Sequence, residues 1–392
     1  MKIPLAWRNL VHSKVRTAVG VLGITFAVVL MFMQLGFLGT VRLTSAMVHE
    51  AMDFDVILHS PMYLQLGDPK TFSSRRIQQF SSIPGIASVT PVHVILGSWC
   101  HPRESVSQRR FQGVLLWGIR PGSHVFHPSH FSGELDKLVT DRDVLVDQQC
   151  KAGFGQKEQR FGPRDVGVCV ELNRREVCIR GCFNLGTGFA ANAGVMMTDR
   201  GFQRVTPGAG EDRVSLGLIR FEPGLSEEQI AETRRSIARL AGQTGDVVAK
   251  TREEACDFEY RFYLIDKSIG IMFQLGVAVA VVVGFAIVYQ VLSLDIARNL
   301  GEYATLKAMG YDNRYISSVV MRQATFLAAT GYLLGMAVAL GVYRVAEWGA
   351  NIPVKLSWYI SIFVLIATFG MCVGSAVLAL RKAYQADPAD LF

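Results

Sequence analysis

Charge is missing from four long stretches of this chain. Residues 17–41, 268–294, 323–343 and 356–380 contain no Asp, Glu, Lys, Arg or His, over 25, 27, 21 and 25 residues respectively. A helix needs roughly 20 apolar residues to cross a hydrocarbon core, and each run meets that length. Ionisable groups within a membrane mark ion and proton pathways because they are costly to bury there. Their absence argues against a proton- or sodium-coupled carrier and leaves a poor substrate channel. Gln34, Gln274, Tyr289 and Gln290 are the main polar interruptions, expected to bond between helices or to sit near the interfaces.

Several catalytic motifs are missing too. No GxxxxGK[ST] occurs, and Lys250-Thr251 is preceded by Ala249 rather than glycine, so the chain has no phosphate loop. There is no GxSxG and no HExxH. "CIRGC" (178–182) has no second cysteine pair at matching spacing, which argues against zinc. His124, His127 and His130 recur every third residue, but Pro128 interrupts them and a surface loop is expected instead of a metal site. Glu253-Glu254 is expected to be a solvated helix face. No repeat, no low-complexity tract and no basic-aromatic pattern for nucleic acid is present. No cofactor or metal is expected.

Charge is present elsewhere, unevenly. The chain has 392 residues and a formal net charge of +7, with 40 Lys and Arg against 33 Asp and Glu. Residues 42–267 hold 28 of the basic and 27 of the acidic residues, a net of +1. Residues 1–16 carry Lys2, Arg8, Lys14 and Arg16 and no acid. Arg298, Lys307, Arg314 and Arg322 lie in 295–322, and Arg381 and Lys382 follow the last run. Short basic segments stay in the cytoplasm, whereas long domains translocate regardless of charge. Both termini and the 295–322 loop are therefore expected inside, and residues 42–267 outside. The first run is read as an uncleaved anchor, being too long for a signal core and lacking a clear small-x-small site.

The expected organisation follows in order. Residues 1–16 form an interfacial helix, with Ile3, Ala6, Trp7, Leu10 and Val11 on one face. The first span is 17–41 and an external α+β domain occupies 42–267. The second span is 268–294, followed by a cytoplasmic loop at 295–322 and a third span at 323–343. A short external loop at 344–355, a fourth span at 356–380 and a tail at 381–392 complete the chain. The fold class is thus a four-helix membrane protein with a large α+β domain inserted between helices 1 and 2.

Within that domain, strands are expected at 54–60, in "PGIASVTPVHVIL", and at 113–119, 143–147, 166–172, 175–181, 214–221 and 246–251. Helices are expected at 73–83 and from the Ser226 N-cap to near Gly242. Six of the seven cysteines lie in it, and an external compartment permits up to three disulfides; free thiols or one or two local bridges remain open.

One polar helix stands between two apolar runs: "ARNLGEYATLKAMGYDNRYI", residues 297–316. Tyr303, Leu306 and Met309 fall on one side at helical spacing, Glu302 and Lys307 flank them, Gly310 is a helix stop, and Asp312 can cap the next helix. An apolar stripe with charged edges suits a groove on a partner.

This layout resembles the ABC-exporter permeases of the MacB and FtsX type. "MKIPLAWRNL", "GITFAVVLMFMQLGF" (23–37), "EYATLKAMGY" (302–311) and "ADPADLF" (386–392) resemble the DevC permeases of heterocyst glycolipid exporters. The resemblance covers the membrane regions and is weaker over the external domain. It implies a homodimeric permease in the bacterial inner membrane without an ATPase of its own, pairing with a separate ATPase that binds ATP. It also implies a periplasmic adaptor and a TolC-like outer-membrane channel. Glu302, Tyr303, Leu306, Lys307, Met309 and Gly310 would form the coupling helix seated on the ATPase. Motion would pass to the external domain by mechanotransmission, to export a lipid, glycolipid or similar envelope substrate. An FtsX-like regulator of a cell-wall hydrolase and a lipoprotein-releasing permease are the alternative readings.

Overall fold

The computed structural model describes residues 14–100, 111–131, 134–155, 159–208, 212–299, 301, 305, 309–350 and 356–385. Most of the interfacial helix expected at 1–16, and Glu302, Tyr303, Leu306 and Lys307, lie outside them. The elements in chain order are α1 (Lys14–Ala51), β1 (Val56–His59), β2 (Phe72–Ser73), α2 (Arg75–Ser81), β3 (Ile86–Cys100), β4 (Gln112–Ile119), β5 (Asp143–Asp147) and β6 (Cys169–Leu172). There follow β7 (Arg175–Phe183), β8 (Gly194–Thr198), α3 (Asp199–Val205), β9 (Arg213–Val214), β10 (Leu216–Phe221), α4 (Glu227–Thr244), β11 (Val248–Thr251) and α5 (Arg252–Arg261). A π-helical turn (Phe262–Asp266), α6 (Ile269–Arg298), α7 (Asn313–Ala350) and α8 (Trp358–Gln385) close the chain. Two compact units result: Met1–Val41 with Lys267–Phe392, and Arg42–Asp266.

The first unit is helical. Thr17–Ala51, Ile269–Arg298, Arg314–Ala346 and Trp358–Arg381 are each long and apolar enough to cross a membrane. These helices outrun the charge-free stretches: α1 continues through Arg42 to Ala51. A charge ends hydrocarbon compatibility without breaking a helix, and no Gly or Pro stands between Thr40 and Ala51 to do so. Ile24, Val28, Phe32, Val288, Val320 and Val364 form part of the shared core.

Close approach relies on small residues. A Cβ on Gly331 would lie 2.4 Å from Ile24 Cγ2, and one on Gly335 2.5 Å from Val28 Cγ1, so two glycines four apart on α7 receive two branched residues four apart on α1. Gln34 abuts Gly276 of α6 in the same way. Side-chain hydroxyls supply interhelical bonds. Tyr343 donates to the Phe32 carbonyl, Tyr332 to Ser361 O at 3.1 Å, and Ser375 to Phe285 O at 2.9 Å. Ile271, Met272, Leu275, Val279 and Val282 of α6 remain exposed, an apolar surface suited to lipid.

The second unit is built on a nine-stranded sheet in the order β11-β1-β10-β3-β4-β8-β5-β7-β6. Its first four strands are antiparallel. With α2 and α4 they follow β1-α2-β3, β10-α4-β11, a ferredoxin-like split βαβ. Val56, Leu58, Phe80, Ile219 and Ile237 form the core under the helices, while Ile57, Val92 and Leu218 join a second core with Met52 and Ala255. The remaining strands close on themselves, because the far end of the 15-residue β3 pairs with β6 at Trp99↔Leu172 and Cys100↔Glu171. Trp99, Val114, Val146, Leu172, Ile179 and Val195 help fill that enclosure. The β6–β7 turn places Asn173 and Arg174 at φ 48° and 63°, the backbone of a tight two-residue hairpin. Asn173 then fixes the closure, its Oδ1 accepting from Ser98 N at 2.7 Å and its own N–H donating to Ser98 O at 2.8 Å.

Two expectations are refined here. The helix from Ser226, expected to end near Gly242, runs two residues further to Thr244; Gly245, at φ 67°, ends it and its N–H returns to Ala241 O. Cys169 and Cys178, directly opposite in the β6–β7 register, form a disulfide, while Cys100, Cys150, Cys182, Cys256 and Cys372 are not disulfide-bonded.

Candidate functional site

The segment between α6 and α7 is described at its ends. The Asn299 N–H bonds to Asp295 O at 3.1 Å, closing α6. Further on, the Met309 N–H bonds to Thr305 O at 3.0 Å, a helical turn. Gly310 follows at φ 88°, a left-handed conformation that side chains rarely adopt, so the chain reverses there at little cost. The Asp312 carbonyl accepts from the Tyr315 N–H at 2.9 Å as α7 begins, and its carboxylate lies 4.0 Å from Arg314. Met309 is 63% exposed, and the half-exposed rings of Tyr311 and Tyr315 lie beside one another with centroids 4.9 Å apart. Of the residues singled out from the sequence, Met309 and Gly310 are therefore placed. Tyr311 and Tyr315 add an aromatic pair that helical spacing alone did not nominate, since they stand beyond the glycine.

A second site lies in the Arg42–Asp266 unit, where α5 meets the end of α1. Thr251 opens α5 with a reciprocal cap: its hydroxyl accepts from Glu254 N at 3.3 Å and Glu254 Oε2 accepts from Thr251 N at 2.8 Å. Glu254 thus has a structural task, and Lys250-Thr251 is a strand end and cap. Arg252 reaches back to α1. Its Nη1 donates to Glu50 O at 3.3 Å and Met52 O at 3.0 Å, and its Nη2 to Phe54 O at 2.6 Å, with the guanidinium stacked 4.8 Å from the Phe54 ring centroid. Carbonyls at a helix C-terminus have no partner within the helix, so one fork satisfies three acceptors where α1 ends. Arg42 lies 5.7 Å from the Tyr260 ring centroid, a further tie between α1 and α5. Charged hydrogen bonds contribute about 1.5–3 kcal/mol each, less where water competes. Arg252→Ala is expected to lower the stability of this unit by about 2–4 kcal/mol. Thermal unfolding of the purified chain measures it, and Arg252→Lys should recover only part because an ammonium cannot fork.

Beyond Arg252, α5 carries a buried carboxylate. Glu259 is 1% exposed; Tyr63 donates a short hydrogen bond to it, as does the Leu66 N–H. Burial pushes its acid up to about 7, partly offset by those two donors. Tyr263, in the π-helical turn, donates to Gln65 Oε1 at 2.7 Å. Lys250 holds its ammonium 3.2 Å from the Phe258 ring centroid, and desolvation lowers it to about 8. His59 packs against Tyr63 with rings tilted and centroids 4.7 Å apart, binds Ser60 O through Nδ1 at 2.8 Å, and is lowered to about 4 by burial. A lone Glu in a helix gives no sequence signal of this kind; the partner that buries it stands 196 residues away.

Among the described residues no group of three or more His, Cys, Asp and Glu is arranged to hold a metal ion. His130 Nδ1 instead pairs with Asn184 O at 2.8 Å, and the His127 N–H bonds to Ala51 O at 3.0 Å.

Residues 275–388 match the family model of the FtsX-like permease C-terminal domain, which covers most of α6 and all of α7 and α8. An uncharacterized ABC transporter permease of Mycobacterium tuberculosis strain H37Rv is 24% identical over 229 residues, 58% of this chain and 58% of the relative. The match thus spans little more than half the length of that curated relative. Among solved structures, the periplasmic region of MacB from Actinobacillus actinomycetemcomitans is 12% identical with a TM-score of 0.34, covering 50% of this chain and 88% of that one. The extracellular domain of the ABC-type transporter YknZ from Gram-positive bacteria is 17% identical with a TM-score of 0.33, covering 51% and 100%.

Proposed function

We propose that this chain, a permease of the MacB/FtsX type carrying an FtsX-like C-terminal domain over residues 275–388, is the membrane subunit of an ABC exporter. The match of that domain to three of the four apolar helices carries the reading. The chain lacks a phosphate loop, so ATP is bound and hydrolysed by a separate cytoplasmic subunit docked on the 302–310 segment. The spans carry no charge in their cores and pack through glycines and hydroxyls, which suits the relay of motion better than the passage of a solute. Two copies form the membrane core. Motion reaches the external unit, which works with a periplasmic adaptor and an outer-membrane duct to export a lipid or glycolipid. Both termini and the 295–322 loop are cytoplasmic, and the membrane is the inner one.

Reconstitution tests this. The purified chain alone is expected to hydrolyse no ATP, with activity appearing when the cognate ATPase is added. Cysteine labelling of intact cells should reach a tag near residue 155 and not one near 312. ATP turnover by the lone polypeptide, or the reverse labelling pattern, would sink the proposal. A cell-wall hydrolase recovered with the complex in place of an adaptor would replace export with regulation.

A further inference from the structure

We propose that Glu259 is a proton-operated latch that fastens α5 to the 60–66 loop when neutral and releases it when ionised. The site is enclosed. From the loop, Tyr63 and the Leu66 N–H donate to the carboxyl group, while Gln65 is held by Tyr263 of the π-helical turn. From β1 comes His59, whose buried Nε2 has no hydrogen-bond partner. From α1 comes His49, 2% exposed, with an unpartnered Nδ1. From β11 comes Lys250, turned onto the Phe258 ring, and beside it Glu254 on α5 is committed to its cap. Cys256 completes the α5 side. No cation among the described residues reaches ion-pair distance of Glu259, so its charged form must rely on two hydrogen bonds and a lysine held elsewhere. An isolated buried charge is expensive, and such a group lowers that cost by taking up a proton.

The latch occupies a consequential place. Two residues after Glu259 α5 ends and gives way to the π-helical turn Phe262–Asp266. Ser268 then takes φ 57° before α6 begins. This stretch departs from α-helical geometry directly after α5, so its order depends on how α5 is seated. The inference stands on the Arg42–Asp266 unit alone and does not require the export reading.

The direction of the pH response is fixed by linkage. Glu259 has a folded value near 7 against an ordinary value of 4.5. Between those values the closed form holds a proton that the open form has lost. Stability conferred by the latch therefore falls as pH rises through the window and is gone above it. His59 and His49 act oppositely: burial holds each near 4, below the ordinary 6.5, so their contributions are lost on acidification.

Hydrogen exchange followed by mass spectrometry on the full chain in nanodiscs tests the latch. Peptides covering 252–266 are followed between pH 6 and 8 and corrected for intrinsic exchange rates. The ratio of opening in the unmodified chain to opening in Glu259→Gln, in which His49, His59 and Lys250 titrate alike, is expected to rise about tenfold across that range. In Tyr63→Phe, which removes a donor that favours the charged form, the rise should continue to higher pH before levelling. A purely structural tyrosine would change the amplitude and leave the levelling point in place. A flat ratio between the unmodified chain and Glu259→Gln, or an unmoved levelling point in Tyr63→Phe, would overturn the proposal.

Discussion

Tyr303→Ala combined with Leu306→Ala is expected to detach the ATPase subunit from this chain and to abolish transport. Anchors of an interface commonly cost about 2 kcal/mol or more when truncated, so the pair should weaken association about 100-fold or more. Neither residue lies in a span, so membrane insertion and folding of the external unit should be unaffected. Met309→Ala, at an exposed position immediately before the left-handed Gly310, should give a smaller loss of the same kind. Asn313→Ala, the first residue of α7, should be nearly silent. Co-purification of the ATPase with each variant reads the effect. If the double variant still recruits the ATPase and exports normally, the docking surface lies elsewhere; the exposed pair Tyr311 and Tyr315 would be the next place to look.

The second large effect belongs to α7. Gly331→Leu is expected to break the packing of α1 against α7, because a Cβ there falls 2.4 Å from Ile24 Cγ2 and 2.7 Å from Ile24 Cβ. Ile24 is fully buried, and a Cβ is fixed to the backbone, so a helix must move. Overpacking of this kind costs about 1–3 kcal/mol, and Gly335→Leu against Val28 adds a second clash one turn along. Size-exclusion profiles after graded heating should show the double variant lost at temperatures the unmodified chain survives. Ile24→Ala in the Gly331→Leu background should restore part of the loss. Gly341→Leu, where a Cβ meets nothing within 4 Å, is the control and should behave like the unmodified chain. Equal loss in the control would assign the effect to helix or lipid properties instead of the contact.

What the sequence discloses depends on whether the signal is local. The four apolar helices were legible because membrane burial demands long charge-free runs, and each run falls on one but for Ser268, Leu356 and Ser357 at the starts of two. Apolar runs bounded by turn residues located β1, β3, β4, β5, β6, β7, β10 and β11, and the Ser226 cap located α4. β8 went unread because "GVMMT", with a glycine and two methionines, holds no run of β-branched residues. The short α3 was missed for a related reason: its charged face resembles loop, and its cap, Thr198, is a single residue. Of α5 only the solvated helix face at Glu253-Glu254 was read. The closure of β3 onto β6 and the pairing of Cys169 with Cys178 are consequences of register, which composition does not carry. The same holds for the α5 site. Arg252 and Glu259 read as ordinary surface charges until the carbonyls of α1 and the hydroxyl of Tyr63 are brought to them.

The two routes by which the chain enters and leaves the Arg42–Asp266 unit differ in kind. One is the uninterrupted helix α1; the other passes through the π-helical turn and the left-handed Ser268. Within the Arg42–Asp266 unit, adding one residue to α1 turns the side chains on either side of it by about 100° relative to one another and shifts them by about 1.5 Å. An insertion between Arg42 and Glu50 would therefore part Arg42 from Tyr260 or Arg252 from the Glu50 carbonyl, contacts this unit makes at both ends of that stretch. The irregular stretch at 262–268 can absorb a residue in its own dihedrals.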